Sequence, residues 1–175
     1  MKQFAGKVLF LNRSDICTDE IIPAQYLEEN SKKTLKPYLF EELKIDGFNP
    51  KADIPGKRVI IVRENFGCGS TTEQAVQVLE ANEFYTVVST NFAKSFRQSM
   101  FSAGLMAIEI SKKDIDDMFR TFAEKDTDSV ITINDDNTAK VKLISGSLSK
   151  SYIFKLDSLE KELIEKDNWI GLLKK

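Results

Sequence analysis

Residues 58–83 read RVIIVRENFGCGSTTEQAVQVLEANE, and the fold expected for this chain is centred on them. The run 59–62 (VIIV) is short, apolar and rich in β-branched side chains, as expected for a strand buried on both faces. A loop with two glycines follows at 65–70, and apolar residues then recur at helical spacing between Ala75 and Leu79. The stretch therefore predicts a strand, a tight turn and a helix in direct succession.

Ser70 and Glu73 form an S-x-x-E pattern, which predicts that Ser70 is the N-cap of the helix. The first turn of a helix has unpaired N–H groups at the positive end of its dipole, so such a turn attracts anions. One interpretation is a phosphate-binding turn, although the G-x-G-x-x-G and P-loop lysine patterns are both missing. On this chemistry alone the turn is a candidate site.

The composition is that of an ordinary globular domain. A chain of 175 residues is long enough for one sizeable core, so we predict a single domain over residues 1–175. The net charge of −2 gives no electrostatic footprint for nucleic acid. No apolar run is long enough for a membrane span, and the first residues lack the pattern of a signal peptide. We therefore expect a cytoplasmic protein with no membrane partner.

The cysteine and histidine counts exclude several kinds of chemistry. The sequence has no histidine, which rules out a Ser-His-Asp triad, a Cys-His pair and a histidine metal site. Cys17 and Cys68, the two cysteines, cannot alone hold an iron–sulfur cluster. We expect no metal on this chain, and free thiols in preference to a disulfide. Cys68 is interpreted as a small buried residue at a tight turn and not as a nucleophile.

Segment 13–24 (RSDICTDEIIPA) is dense in side-chain oxygens. Such residues bond their own backbone and stabilise turns, so the segment is either a structured loop or a loop that contributes to a site. Pro23 prevents a central strand here. We expect short helical pieces broken by a proline over 25–44 and a connecting loop over 45–57. The oxygen-bearing residues are Ser14, Asp15, Thr18, Asp19 and Glu20.

In the rest of the chain, predicted strands first alternate with helices and then follow one another directly. Strands are predicted at 3–11, 84–90 and 105–110, with helices at 92–103 and from 111 onward, an alternation typical of an α/β fold with a parallel sheet. Three short strands at 129–134, 138–144 and 151–156 follow, the first two joined by a turn at 135–137. A last helix at 158–166, capped by Asp157, precedes an apolar tail that we expect to pack down.

Two segments carry a resemblance to a known family. Segment 14–24 follows the pattern D-N-I-D-T-D-x-I-I-P-A, and segment 65–75 follows N-F-G-C-G-S-S-R-E-H/Q-A. In this order they resemble the small subunit of 3-isopropylmalate dehydratase, the counterpart of the swivelling C-terminal domain of aconitase. The likeness extends over nearly the whole chain, with further matches at Phe92-Ala93, Phe96, Gly104 and Gly171.

The resemblance implies a swivelling β/β/α three-layer domain with a largely parallel central sheet. It further implies a separate large subunit that carries a [4Fe–4S] cluster, and a 2-hydroxy polycarboxylate isomerised by dehydration and rehydration, as in leucine biosynthesis. Ser70 aligns with the family's catalytic base. By the same resemblance, substrate binding falls to Gly69, Thr71, Thr72, Tyr26 and Glu28, and support of the site loops to Thr18, Asp19, Gly67 and Cys68.

The departures from the family pattern are at charged positions. Thr72 stands where the family has an arginine that binds a substrate carboxylate. Without that arginine, the free energy of substrate binding would be weaker by about 1.5–3 kcal/mol. Cys17 replaces an aspartate, and Glu28 places an acid where an isopropyl group would call for an apolar residue. Lys94, Arg97 or the partner chain could supply the missing positive charge.

Two hypotheses about function follow from these matches and departures. The first is a working hydro-lyase subunit, for 3-isopropylmalate or another hydroxy acid, and the intact Gly67–Ser70 turn favours it. The second is a non-catalytic paralogue that keeps the fold and the docking surface, which the missing arginine favours.

Overall fold

The structure, a computed structural model, describes residues 4–28, 31–70 and 73–167. Its strands are β1 (Gly6–Leu11), β2 (Val59–Val62), β3 (Thr86–Ser89), β4 (Met106–Glu109), β5 (Asp128–Ile133), β6 (Thr138–Ser145) and β7 (Leu148–Lys155). Its α-helices are α1 (Thr18–Ile21), α2 (Lys32–Leu35), α3 (Pro50–Asp53), α4 (Glu73–Ala81), α5 (Lys94–Ser102), α6 (Lys112–Phe122) and α7 (Ser158–Glu165). Two 3₁₀ turns lie at Ala24–Tyr26 and Lys36–Tyr38.

All seven strands belong to one mixed sheet, in the order β4-β3-β2-β1-β5-β6-β7. The first four strands are parallel, and each connection between them contains at least one helix. Every residue of β2 and β3 is buried, as the continuous apolar run at 59–62 predicted. The predicted α/β class is confirmed.

The second half of the sheet is antiparallel. β5 pairs with the free edge of β1, and β6 and β7 follow as hairpins. Buried and exposed residues alternate along β6, as in a strand with one face in the core and one in water. β4 and β7, the two ends of the strand order, lie in contact, so the sheet curls.

The helices pack on the sheet and on one another. α4 packs against α1, α2 and α5, while α7 packs against α5. α6 contacts β1 through the rings of Phe119 and Phe10, whose centroids are 5.4 Å apart. Asp157 accepts a hydrogen bond of 2.7 Å from the Glu160 amide and caps α7 as predicted.

Two segments predicted as loops contain short helices. α1 lies within 13–24 and α3 within 45–57, and each has four residues. Local hydrogen bonds define them: the Glu20 carboxylate accepts from the Cys17 amide, and the Asn49 side chain accepts from the Lys51 amide. One helical turn is too short for hydrophobic periodicity to reveal. The predicted packing of the tail at 169–173 lies outside the described residues.

Among the described helices, none combines the length and the apolar character that crossing a membrane requires.

Asp117 of α6 ties this helix to β7. Its carboxylate accepts hydrogen bonds from the Tyr152 hydroxyl at 2.7 Å and from the Lys150 ammonium at 3.0 Å. These two bonds, the one from Tyr152 first, lower the pKa of Asp117 to about 2. Because the folded pKa lies below the ordinary value of 3.8, the ionised carboxylate stabilises the fold at neutral pH.

We predict that Asp117→Asn lowers the free energy of unfolding by about 1–2 kcal/mol at pH 7, the range for a hydrogen-bonded charge with partial solvent screening. The loss should shrink as pH falls from about 4 to 2, where the wild-type carboxylate itself becomes protonated. Urea unfolding across this pH range measures it. The exposed Asp135→Asn variant, in the β5–β6 turn, serves as control, and equal losses in both variants would contradict the prediction.

Candidate active site

The two motif-bearing loops meet at the carboxyl ends of β1 and β2. The backbone pairing of these strands continues past their ends, because the Gly67 amide donates to the Ile16 carbonyl and the Thr18 amide donates to the Cys68 carbonyl, both at 2.8 Å. Ligand sites of open α/β sheets lie at this edge. The fold thus brings together two sequence segments that are about fifty residues apart.

A third loop, after β3, completes the arrangement. The Ala93 amide donates to the Phe66 carbonyl at 3.0 Å, and the Asn65 amide donates to the Asn91 side chain at 2.7 Å. Asn65 also donates from its own side chain to the Asp15 carboxylate at 2.8 Å. Asn65 and Asp15 both have positive φ, at 58° and 55°, so each loop turns sharply where the two side chains meet.

Gly67 is the point of closest packing in this region. It has a φ of +81°, and a Cβ added there would lie 2.2 Å from Cγ of Phe96. The loop can therefore reach its position only because residue 67 has no side chain. Phe96 is itself fully buried on α5, so it has no room to move away.

Cys17 and Cys68 form a disulfide, with Cα atoms 4.3 Å apart. The prediction of free thiols is wrong, because the fold places the two loops side by side in a way that spacing along the sequence does not show. Both residues are half-buried, whereas the sequence suggested that Cys68 is a small buried residue at a tight turn. The bond spans 51 residues, and closing a loop of that length stabilises a fold by about 4 kcal/mol in the chain-entropy model.

Ser70 is exposed at a cavity of about 400 Å³ between the two loops. The buried hydroxyl of Thr18 donates to the Ser70 carbonyl at 2.7 Å and fixes the backbone that carries the serine. Gly69 also lines the cavity, close to the Thr18 hydroxyl. The remaining lining residues are Cys17, Asp19, Ile22, Ala24 and Leu27.

Tyr26 and Glu28 are not part of the cavity lining, and other predicted site residues lie outside the described ranges. Tyr26 is half-buried and stacks on Tyr38, with ring centroids 3.6 Å apart. A hydrogen bond to the Glu41 carboxylate raises the pKa of Tyr26, so its phenol stays neutral. Glu28 is exposed. Thr71, Thr72 and the predicted capping of α4 by Ser70 involve positions 71–72, which lie outside the described residues.

The described part of the cavity lining has one ionisable side chain, the carboxylate of Asp19, and no positive charge. Arg13, nearby in sequence, pairs with Glu20 at 2.5 Å. Arg97, which the sequence offered as a source of positive charge, is not part of the described lining and forms ion pairs with Glu160 of α7 and Glu109 of β4. Lys94 lines a different cavity, next to α7.

The metal-ligand chemistry of the described residues does not fit an iron–sulfur cluster. Cys17 and Cys68 are bonded to each other in a disulfide and so offer no thiolate ligand, and the sequence has no histidine. Within the described ranges, no group of three or more His, Cys, Asp or Glu side chains comes together in a way that could hold a metal ion.

Comparison with known proteins agrees with this geometry. The family model for the aconitase C-terminal domain matches residues 1–113. The 3-isopropylmalate dehydratase small subunit of Geobacillus sp. (strain WCH70) is 32% identical over 146 residues, which cover 77% of this chain and 74% of that relative. The chain belongs to the aconitase C-terminal domain family. The resemblance predicted from the two motifs is confirmed, and the chain is homologous to the small subunit of this hydro-lyase.

A solved structure extends the likeness beyond the residues that the family model matches. The crystal structure of 3-isopropylmalate dehydratase from Methanocaldococcus jannaschii superposes with a TM-score of 0.73 at 25% identity, covering 98% of this chain and 93% of that one. The antiparallel strands β5–β7 and helix α7, which follow residue 113, therefore belong to the aconitase-type fold as well.

Sequence reasoning missed two parts of the site. The side chains of Ile22, Ala24 and Leu27 form an apolar wall of the cavity; Ile22 and Ala24 belong to the first motif, but the motif match did not indicate this role. Gln74 of α4 donates to the Leu27 carbonyl at 2.8 Å and holds that wall against the second motif. The motif match at residue 74 was the available signal, since the family pattern has His or Gln at that position.

We predict that Gly67→Ala lowers the free energy of unfolding by at least about 2 kcal/mol, because the new methyl group overlaps Phe96 and alanine is strained at the φ of +81° that glycine adopts freely. Gly56→Ala is the matched control, since Gly56 has a φ of +82° with no atom within 4 Å of the added Cβ. Urea unfolding of both variants separates the overlap from the backbone strain. Equal destabilisation would show that the Phe96 contact is unimportant.

Proposed function

We propose that the chain is the small subunit of a split hydro-lyase of the aconitase type. With a large subunit that carries the iron–sulfur cluster, it would isomerise a 2-hydroxy polycarboxylate by removing water and adding it back. The substrate would be 3-isopropylmalate, in leucine biosynthesis, or a related hydroxy acid. The observation that carries the proposal is the exposed Ser70 at the mouth of a cavity built from both family motifs.

Ser70 is proposed as the base that removes a proton from the substrate carbon. For this task the hydroxyl must be accessible and its position fixed, and the exposure of Ser70 and the Thr18 hydrogen bond to its carbonyl support both requirements. The alcohol must also be stabilised as an alkoxide. The sequence assigns that role to backbone amides at the beginning of α4, where the helix dipole favours negative charge.

The charge balance of the cavity supports a site shared between two chains. A polycarboxylate needs positive partners, yet the described lining contributes the Asp19 carboxylate and no cation. The amide of Gly69 and the residues at 71–72 are the proposed carboxylate contacts on this chain, with Tyr26 and Glu28 at the entrance. The remaining positive charge would come from the large subunit. We also propose that residues 1–175 form one cytoplasmic domain that docks on that subunit.

A second candidate function is a non-catalytic paralogue that binds the large subunit without turnover. Thr72 in place of the family arginine and the absence of a described cation at the cavity favour this candidate. The integrity of the Gly67–Ser70 turn and its supporting hydrogen bonds favours the enzyme.

The first test is to purify the chain with its cluster-bearing large subunit and assay a panel of 2-hydroxy di- and tricarboxylates. We expect turnover of at least one substrate, and a decrease of about 10²–10⁴-fold in Ser70→Ala with association unchanged. Ser147→Ala, in the exposed β6–β7 turn, is the control. Undiminished turnover in Ser70→Ala would remove the base assignment, and a loaded complex inactive on every substrate would support the paralogue.

The second test restores the family arginine. Thr72→Arg should lower the KM for 3-isopropylmalate by about 10–150-fold, the equivalent of 1.5–3 kcal/mol for a hydrogen-bonded charge. Thr72→Lys adds the same charge without the two-pronged guanidinium, so it should recover less. An active wild type whose arginine variant gains nothing on 3-isopropylmalate would indicate that the enzyme evolved for a different hydroxy acid.

A further inference from the structure

The disulfide joins the two motifs that build the site. Cys17 lies in the first motif and Cys68 in the second, and they are the two cysteines of the whole sequence, so no other pairing within the chain competes. Cys17 is half-buried and lines the cavity beside Ser70, which is the side from which a small thiol would approach. Accessible disulfides of this kind are the ones open to exchange.

The residues next to each cysteine carry the contacts that hold Ser70. Thr18, directly after Cys17, donates its amide to the Cys68 carbonyl and its hydroxyl to the Ser70 carbonyl. Ser70 itself is two residues beyond Cys68. A change at the sulfur–sulfur bond is therefore transmitted to the serine through one hydrogen-bonded residue.

We propose that Cys17 and Cys68 form a reversible thiol–disulfide switch that sets how firmly the two site loops are held together. Two unbonded sulfur atoms must sit about 3.5–4 Å apart, well beyond the length of a disulfide bond. The Cα separation of 4.3 Å leaves little room for two thiols in the same arrangement. Reduction must therefore turn a side chain away or part the loops.

The neighbouring packing determines which atoms move. Ile16, before Cys17, is fully buried, and Gly67, before Cys68, is held against Phe96. The exposed residues after Cys68, Gly69 and Ser70, are therefore the ones free to move, at the cavity. We infer that the dithiol form has a looser Thr18–Ser70 contact and a less well-placed serine.

The chemistry balances with a low-molecular-weight thiol such as glutathione as reductant. Its thiolate attacks Sγ of Cys17, a mixed disulfide forms, and Cys68 leaves as a thiolate that takes up a proton. A second glutathione thiolate then attacks the glutathione sulfur of the mixed disulfide and frees Cys17, which is also protonated. The protein gains two electrons and two protons, and oxidised glutathione is released; oxidation by that disulfide is the reverse.

The experiment uses the full chain, equilibrated over a series of reduced-to-oxidised glutathione ratios and then quenched by thiol alkylation. Intact-mass analysis counts the alkylated thiols, and we expect a reversible transition between zero and two within the series. Hydrogen exchange on both end states should show the Thr18 amide exchanging at least about tenfold faster in the dithiol form, with the amides of β3 unchanged. The Cys17→Ser/Cys68→Ser variant has no thiols to alkylate, and its Thr18 amide should exchange as fast as that of the dithiol form at every glutathione ratio.

Equal Thr18 exchange in the two states would overturn the proposal, and so would a pair that stays oxidised, or stays reduced, at every ratio. These readouts need no turnover, so they separate the switch from the proposed enzyme activity. With the large subunit added after removal of the redox reagents, kcat/KM should be about tenfold lower for the dithiol form, because a displaced reacting group loses orientation. A dithiol form with equal or higher kcat/KM would contradict the inference that reduction displaces the serine.

Discussion

The site depends on one constraint, the continuation of the β1–β2 pairing into the loops that follow these strands. Two backbone hydrogen bonds, from Gly67 to Ile16 and from Thr18 to Cys68, extend the ladder beyond the regular strands. They are possible because residue 67 has no side chain where the chain passes Phe96. Once the loops are paired, the Ser70 carbonyl comes within reach of the Thr18 hydroxyl, and the disulfide closes across the same contact.

This arrangement fits a site completed by another chain. The described lining holds an accessible alcohol, an apolar wall and one carboxylate, but no cation to neutralise an anionic ligand. Two arginines considered for this charge have other partners, since Arg13 pairs with Glu20 and Arg97 pairs with Glu160. The relative from Geobacillus is itself named as a small subunit, which implies a large-subunit partner.

Several features set by residues that are close together in the sequence were predicted correctly, whereas contacts between distant segments were not. The buried strands at 59–62 and 86–89 and the cap of α7 by Asp157 follow from local patterns, and the structure has them. The one-turn helices α1 and α3 were missed because four residues are too few for periodicity. The disulfide was missed because the expectation of free thiols came from composition, which contains no information on distance. The ion pairs of Arg97 with Glu160 and Glu109 were also not predicted, because they join residues that are far apart in the sequence.

The family and the α/β class followed from the sequence alone, because each of these is carried by contiguous residues: the NFGCGS turn, the DICTDEIIPA loop and the apolar runs around them. Only the tertiary structure decided that Cys17 and Cys68 are bonded, that Thr18 holds the backbone of Ser70, and that the described cavity wall carries no positive charge. The physical reason is that these are contacts between segments about fifty residues apart, and such contacts exist only once the strand order of the sheet has placed the loops side by side.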